Sequence, residues 1–214
     1  MRRTLLVAAT TLGVIMAIAT PAAARDVSNS SQTMVQMQGY WSSYDDATGA
    51  WEDASVYVTD HSGETFIEYS RFRSTPITCP DGLPGQHIEW LSGYGTGTLE
   101  ANKDYTSGLA AATVTGWMDT YDVCETGEEV VVPENGGGGD TVTFDVSASF
   151  TSTSPLNRER GSGSFKIPGE YNSHNSYSST YRYGELDVTV DGQTSSGWWG
   201  QLGKVSWRNH SNSK

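Results

Sequence analysis

Positive charge is scarce in this chain: 13 Lys+Arg stand against 25 Asp+Glu in 214 residues, for a net charge of −12. No basic stripe is visible along the sequence to displace counterions from phosphates, which argues against nucleic acid as a partner. Cysteine is limited to Cys79 and Cys124. No helical stripe longer than two turns occurs after the first 24 residues, and the best candidate, at residues 109–112, is cut short by Gly108 and Gly116. Aliphatic residues are also few. From Arg25 onward, Leu, Ile, Val and Phe supply 30 of 190 residues, a composition that verges on disorder at high net charge. Against this stand 7 Trp and 11 Tyr, each able to bury about 150–250 Å². Val outnumbers Leu, which favours strands over helices. The expectation is a folded β-rich chain in which most Tyr and Trp stand in for Leu in a thin core.

Residues 1–24 read as a secretory signal: Arg2 and Arg3, an apolar run from Leu5 to Ala19, then Ala22, Ala23 and Ala24 before the expected cut at Arg25. The run falls short of the about 20 apolar residues that a membrane span needs, and no second one follows. Loss of the two Arg takes the charge from −12 to −14. The chain is therefore expected to be secreted, with no membrane span after cleavage. In such a setting Cys79 and Cys124 read as one disulfide. Closing that loop would stabilise by about 4 kcal/mol in the chain-entropy model.

Period-two alternation then recurs between turn signals. Val35, Met37 and Trp41 share one face of a first strand, and Ala54, Val56 and Val58 share one face of a second. The clearest strand is residues 141–151, where Val142, Phe144, Val146, Ala148 and Phe150 alternate with Thr, Asp and Ser. Residues 60–63 and Asp191-Gly192 read as hairpin turns. Short strands are also expected at 86–91, 94–100, 109–117, 162–167, 177–183 and 185–190. The fold expected is all-β: an antiparallel sandwich or barrel of about ten to twelve short strands. Residues 25–33 read as a flexible arm, 34–208 as a single β domain and 209–214 as a flexible tail. Glu134 to Gly139 reads as a mobile hairpin loop. Charge is uneven: the span between Arg73 and Arg158 carries −11, and the remainder from Arg158 carries +2.

Chemistry-bearing motifs are missing. There is no Gly-x-Ser-x-Gly elbow and no His-Glu-x-x-His pair, and residues 93–97 lack the spacing of a dinucleotide loop. His61, His87 and His174 read as polar surface residues rather than triad members. Glu185 and Asp187 share one strand face opposite Leu186, Val188 and Val190, which marks the wet side rather than a glycosidase pair. Asp119, Asp122, Glu125, Glu128 and Glu129 offer calcium-type oxygens at a spacing that matches no known loop. No catalytic residue, metal site or cofactor is therefore expected.

The aromatic residues remain. Trp198 and Trp199 are adjacent on a strand and must face opposite ways. One of them, with Trp51, Trp207 or the Tyr171–Tyr183 series, could form a platform that stacks on sugars or on a protein partner. The segments Thr-Val-Thr-Phe-Asp-Val-Ser-Ala-Ser-Phe and Leu-Asp-Val-Thr-Val-Asp-Gly, behind a signal peptide and one cystine, resemble small secreted β-rich proteins of actinomycete-type bacteria. That resemblance implies export and an antiparallel β fold, and it implies no activity. The functional expectation is a secreted non-enzymatic module binding extracellular polysaccharide, envelope material or protein through Trp51, Trp198, Trp199 and Trp207. The alternatives are a secreted hydrolase with a scattered site and a structural or inhibitory surface protein.

Overall fold

The computed structural model describes residues 28–125, 130–131, 139–167 and 171–213. Its elements are all strands: β1 (Ser28–Tyr44), β2 (Trp51–His61), β3 (Glu64–Thr78), β4 (Pro84–Ala101), β5 (Ser107–Glu125), β6 (Val130–Val131), β7 (Asp140–Ser152), β8 (Asn157–Ile167), β9 (Tyr171–Val190) and β10 (Gln193–Ser213). The all-β antiparallel architecture matches the alternation in the sequence. The strands are not short, however, for β4, β5, β9 and β10 run to 18, 19, 20 and 21 residues. Segments 86–91 and 94–100 merge into β4, and 177–183 and 185–190 merge into β9. Gly93 and Gly184 fall in the gaps between those segments. Both lie within paired strands, where a neighbouring strand supplies the hydrogen bonds that local propensity does not.

The sheet runs β10-β1-β2-β3-β4-β5-β7-β9 and closes on itself because β9 also pairs with β10. Closure into a ring turns one face of every strand inward. Met37, Val56, Val58, Ile67, Val114, Val146, Phe150, Leu186, Val188 and Leu202 fill it, each essentially inaccessible to water. Positive φ at Ser62 and Gly63, and at Asp191 and Gly192, gives the β2–β3 and β9–β10 hairpins their tight turns. The helix candidate at 109–112 lies in β5, paired on both sides by β4 and β7. The run at 93–97 is strand, not a phosphate loop: a Cβ on Gly95 would fall 2.3 Å from the Thr113 carbonyl oxygen.

Beyond one end of the ring, four strands continue as an open blade in the order β8-β9-β10-β1. Residues 28–33, expected within a loose arm, are the outer part of β1 and pair with residues 206–211 of β10. Residues 209–213, expected within a loose tail, pair with 171–175 of β9. The partners lie far apart in the chain and are polar on both sides, so neither pairing leaves a local hydrophobic signal. Most of Glu134 to Gly139 lies outside the described residues.

The core is mainly aliphatic, and of the Tyr and Trp among the described residues only Tyr69, Tyr181 and Trp198 are buried, which reverses the expectation drawn from composition. Trp51, Trp90, Trp117, Trp199 and Trp207 are exposed, as are Tyr40, Tyr44, Tyr57, Tyr94, Tyr177 and Tyr183. A single closed layer has no second sheet to cover its outer face, so most outward aromatic side chains meet water.

Candidate ligand-binding mouth

The end of the ring opposite the blade is open and carries the β1–β2, β3–β4 and β9–β10 turns. There the wall formed by β3, β4 and β5 rises above the others, and Cys79–Cys124 ties its top together. Gly85 sits directly opposite Cys124, and a Cβ on it would collide with the Cys79 sulfur. The disulfide read from the sequence therefore braces the tallest part of the mouth.

Inside this mouth lies a cavity of ≈ 510 Å³, within the usual range for small-molecule sites of about 300–1,000 Å³. Its apolar floor is built from inward positions of several strands: Ala54, Tyr69, Leu91, Phe144, Val188 and Trp198. Trp41 stacks on Trp198 with ring centroids 6.3 Å apart, and Tyr69 meets Phe144 edge-on at 5.9 Å. The Trp198 indole N–H donates to Ser195 Oγ at 3.0 Å, which fixes its ring on the cavity wall.

One cation sits among these rings. Arg71 continues the inward series Ile67 and Tyr69 on β3, between Ala54 of β2 and Leu91 of β4. Its Nε is buried and has no hydrogen-bond partner among the described residues. Leaving a buried donor unpaired costs about 1–3 kcal/mol, more for a charged group. Burial raises the Tyr69 hydroxyl above its ordinary value, and the Arg71 charge opposes that shift.

Above Arg71 the same wall is a polar ladder. Arg73 bridges to Glu89 at 3.5 Å, with Glu52 as its neighbour on β2. His87 meets Asp122 through Nδ1 at 2.6 Å. No hydroxyl or thiol nucleophile is hydrogen-bonded to His87 among the described residues, and the ladder is largely solvated. It can orient polar groups of a ligand at the rim. The sequence placed Trp41 on one face of the first strand, but it gave neither Trp41 nor Glu52, Arg71 and the His87–Asp122 pair a role at a site. The signal was available at Arg71, an arginine that extends an inward apolar alternation.

The four tryptophans expected to bind a ligand, one of Trp198 and Trp199 as part of an outer platform, are dispersed. Trp198 is 2% exposed and lines the cavity, so it cannot belong to an outer platform. Trp199 faces outward beside Tyr183, with centroids 5.5 Å apart, and pairs in register with Tyr40. Trp51 lies outside the mouth against Phe72 at 5.3 Å. Trp207 belongs to the blade. His61, His87 and His174 lie at three separate places and form no triad. Glu185 and Asp187 are exposed on the outer face while their neighbours Leu186 and Val188 are buried. Asp119 and Asp122 stand on opposite faces of β5 because they are three positions apart. No group of carboxylates or histidines suited to a metal occurs among the described residues. Glu128 and Glu129 lie outside them.

No family model, curated protein or solved structure is similar to this chain.

Proposed function

We propose that this is a secreted, non-enzymatic binding protein whose mouth takes a small ligand with an apolar or aromatic body and one carboxylate-type anion. The observation that carries the reading is the buried, unpaired Nε of Arg71 at the edge of an aromatic-lined cavity. A buried, unpaired Nε is retained at a cost to stability, and a planar anion is the partner a guanidinium fits best. The apolar body would rest on Trp41, Trp198 and Tyr69, and Glu52 across the rim would accept a donor from the same ligand.

The test is Trp fluorescence titration of the mature protein with alkyl and aryl carboxylates and with the matching alcohols. Carboxylates should bind at least about tenfold more tightly, the 1.4 kcal/mol or more expected of a charge-assisted hydrogen bond. Arg71→Leu should remove that preference and raise stability by about 1 kcal/mol, since it replaces an unpaired buried donor by apolar surface. Equal binding of acid and alcohol, or an unchanged preference in Arg71→Leu, would overturn the reading.

A second reading concerns the outer surface. Trp199, Tyr183 and Tyr40 form an outward aromatic cluster that suits the apolar face of a sugar in envelope glycan. Trp199→Ala should abolish retention on a polysaccharide matrix while leaving the mouth unaffected. Retention equal to that of the unaltered protein would retire it.

A further inference from the structure

The blade carries a charged surface that the linear sequence does not display. Residues directly opposite one another in a sheet share a face, so the register sorts its side chains without ambiguity. One face receives Arg158, Arg160 and Lys166 from β8 and Lys204 and Arg208 from β10. His174 and His210 stand on the same face, paired across β9 and β10. These five Lys/Arg side chains are all exposed. No Asp or Glu occupies this face among the described residues. The one blade acid that is described, Glu159, lies on the reverse face and accepts a hydrogen bond from Tyr181. Between the cations run hydroxyls: Thr33, Ser162, Ser176, Ser178 and Ser206.

We infer that this face binds a linear anionic polysaccharide. Arg158 and Arg160 are two residues apart on β8, about 6.6–6.8 Å, Lys204 and Arg208 are four apart on β10, about 13–14 Å, and β9 sets the two strands about 9.6 Å apart. An extended polymer with regularly placed charges can therefore meet several of them at once. Two shallow troughs follow the face, ≈ 660 Å³ around Arg160 and Arg208 and ≈ 300 Å³ around His174 and His210. Their hydroxyl lining supplies hydrogen bonds to sugar hydroxyls and anionic oxygens alike. The ring's many acids lie off this face, so their field helps to orient an incoming polyanion toward the blade.

The chemistry of the face separates a saccharide from a nucleic acid. Single-stranded nucleic acid is held by aromatic side chains interleaved with the cations. Here the blade's aromatic residues, Phe165, Tyr171, Tyr177 and Trp207, all occupy the reverse face. The absence of a basic stripe along the chain is thus a property of the sequence alone. The fold gathers cations from β8 and β10, 38 residues apart between Lys166 and Lys204, into one stripe.

The experiment uses the mature protein with heparin as the probe, titrated across a series of salt concentrations. Binding should weaken steeply with salt. Arg160→Gln with Arg208→Gln should raise Kd at least about tenfold and flatten the slope of log Kd against log salt by about 2, one for each contact removed. Trp207→Ala, on the reverse face, should change neither. As a measurement that needs no variant, bound heparin should protect Lys166 and Lys204 from acetylation and leave Lys103 reactive. Three results would overturn the inference: equal binding by the double variant together with equal acetylation of all three lysines; tighter binding to single-stranded DNA than to heparin; or low-salt self-association, abolished by the double variant, without heparin binding. The last would assign the face to the acidic surface of a second copy of this chain.

Discussion

The two ends of the molecule are built from the same strands and differ in what faces them. Inward positions along β10 run from the mouth as Trp198, Gly200 and Leu202, and then become Lys204, Ser206, Arg208 and His210. On β1 the same face passes from Trp41, Gly39 and Met37 through Val35 to Thr33, Ser31 and Asn29. On β9 it passes from Val188, Leu186 and Gly184 through Arg182 to Thr180, Ser178 and Ser176. The change falls within one inward position of the same level on all three strands, with Arg182 beside Leu202 and Val35 beside Lys204. Above it an opposite wall excludes water, and apolar burial stabilises the ring at about 25 cal/mol per Å². Below it no wall exists, so the face is free to carry charge. Burial here is decided by closure and not by the alternation itself.

The largest separation between the two ends should come from the disulfide. Replacing Cys79 and Cys124 by Ser should cost about 4 kcal/mol in the chain-entropy model. The loss should concentrate at the mouth. Hydrogen exchange should show amides of residues 71–78, 84–89 and 119–124 losing protection, with those of the blade unchanged. Equal loss in both regions would mean that mouth and blade unfold as one unit, and the contrast between them would be only compositional.

Arg182 tests the boundary itself. It lies level with Leu202 and Met37, where the ring interior ends. Its Nε donates to the Asp104 carbonyl and its Nη1 to the Ser154 carbonyl, both at 2.8 Å. It therefore pins two loops across the ring floor. Arg182→Ala should cost about 2–3 kcal/mol, the scale of a charged hydrogen bond plus carbonyls left unpaired. Arg182→Lys should recover only part, because one ammonium lacks the planar fork that reaches both oxygens. A cost near zero in thermal or denaturant unfolding would show that the floor is closed by packing alone.

The sequence made the ring legible wherever one face was wet and the other buried. Val142 to Phe150 alternates cleanly, and the Asp191-Gly192 turn adopts the positive φ that its residues favour. The cystine was equally readable, since two cysteines permit one pairing. The blade was legible at 162–167 and 177–183, but its outer end, residues 28–33 and 209–213, was not, because Ser, Asn and Thr on both faces carry no period there. Only long-range pairing, such as Asn29 with His210, identifies it as strand. The mouth was hidden for a different reason. Arg71, Glu89, His87 and Asp122 belong to three strands, and only register brings them onto one wall. The aromatic side chains misled because composition reports their number and not the number of layers available to bury them.

The smallest expected effect lies on the blade side of the boundary and appears only in alkali. Tyr181 is buried there and donates its hydroxyl proton to Glu159. That hydrogen bond holds its pKa above the ordinary value of 10.0, with a hydrogen bond involving Tyr183 and burial adding to the shift. A phenol that stays neutral when folded and ionises when unfolded leaves stability intact below pH 10 and erodes it as pH rises toward the folded-state pKa. Denaturant midpoints should therefore fall more steeply above pH 10 in the unaltered protein than in Tyr181→Phe. At pH 7 the variant should lose about 1 kcal/mol, the ordinary worth of one hydrogen bond. Tyr69, raised chiefly by burial at the mouth, gives the matching experiment at the other end: Tyr69→Phe should flatten the alkaline limb without breaking a hydrogen bond to Glu159. Parallel alkaline limbs in all three proteins would show that neither phenol is held neutral by the fold.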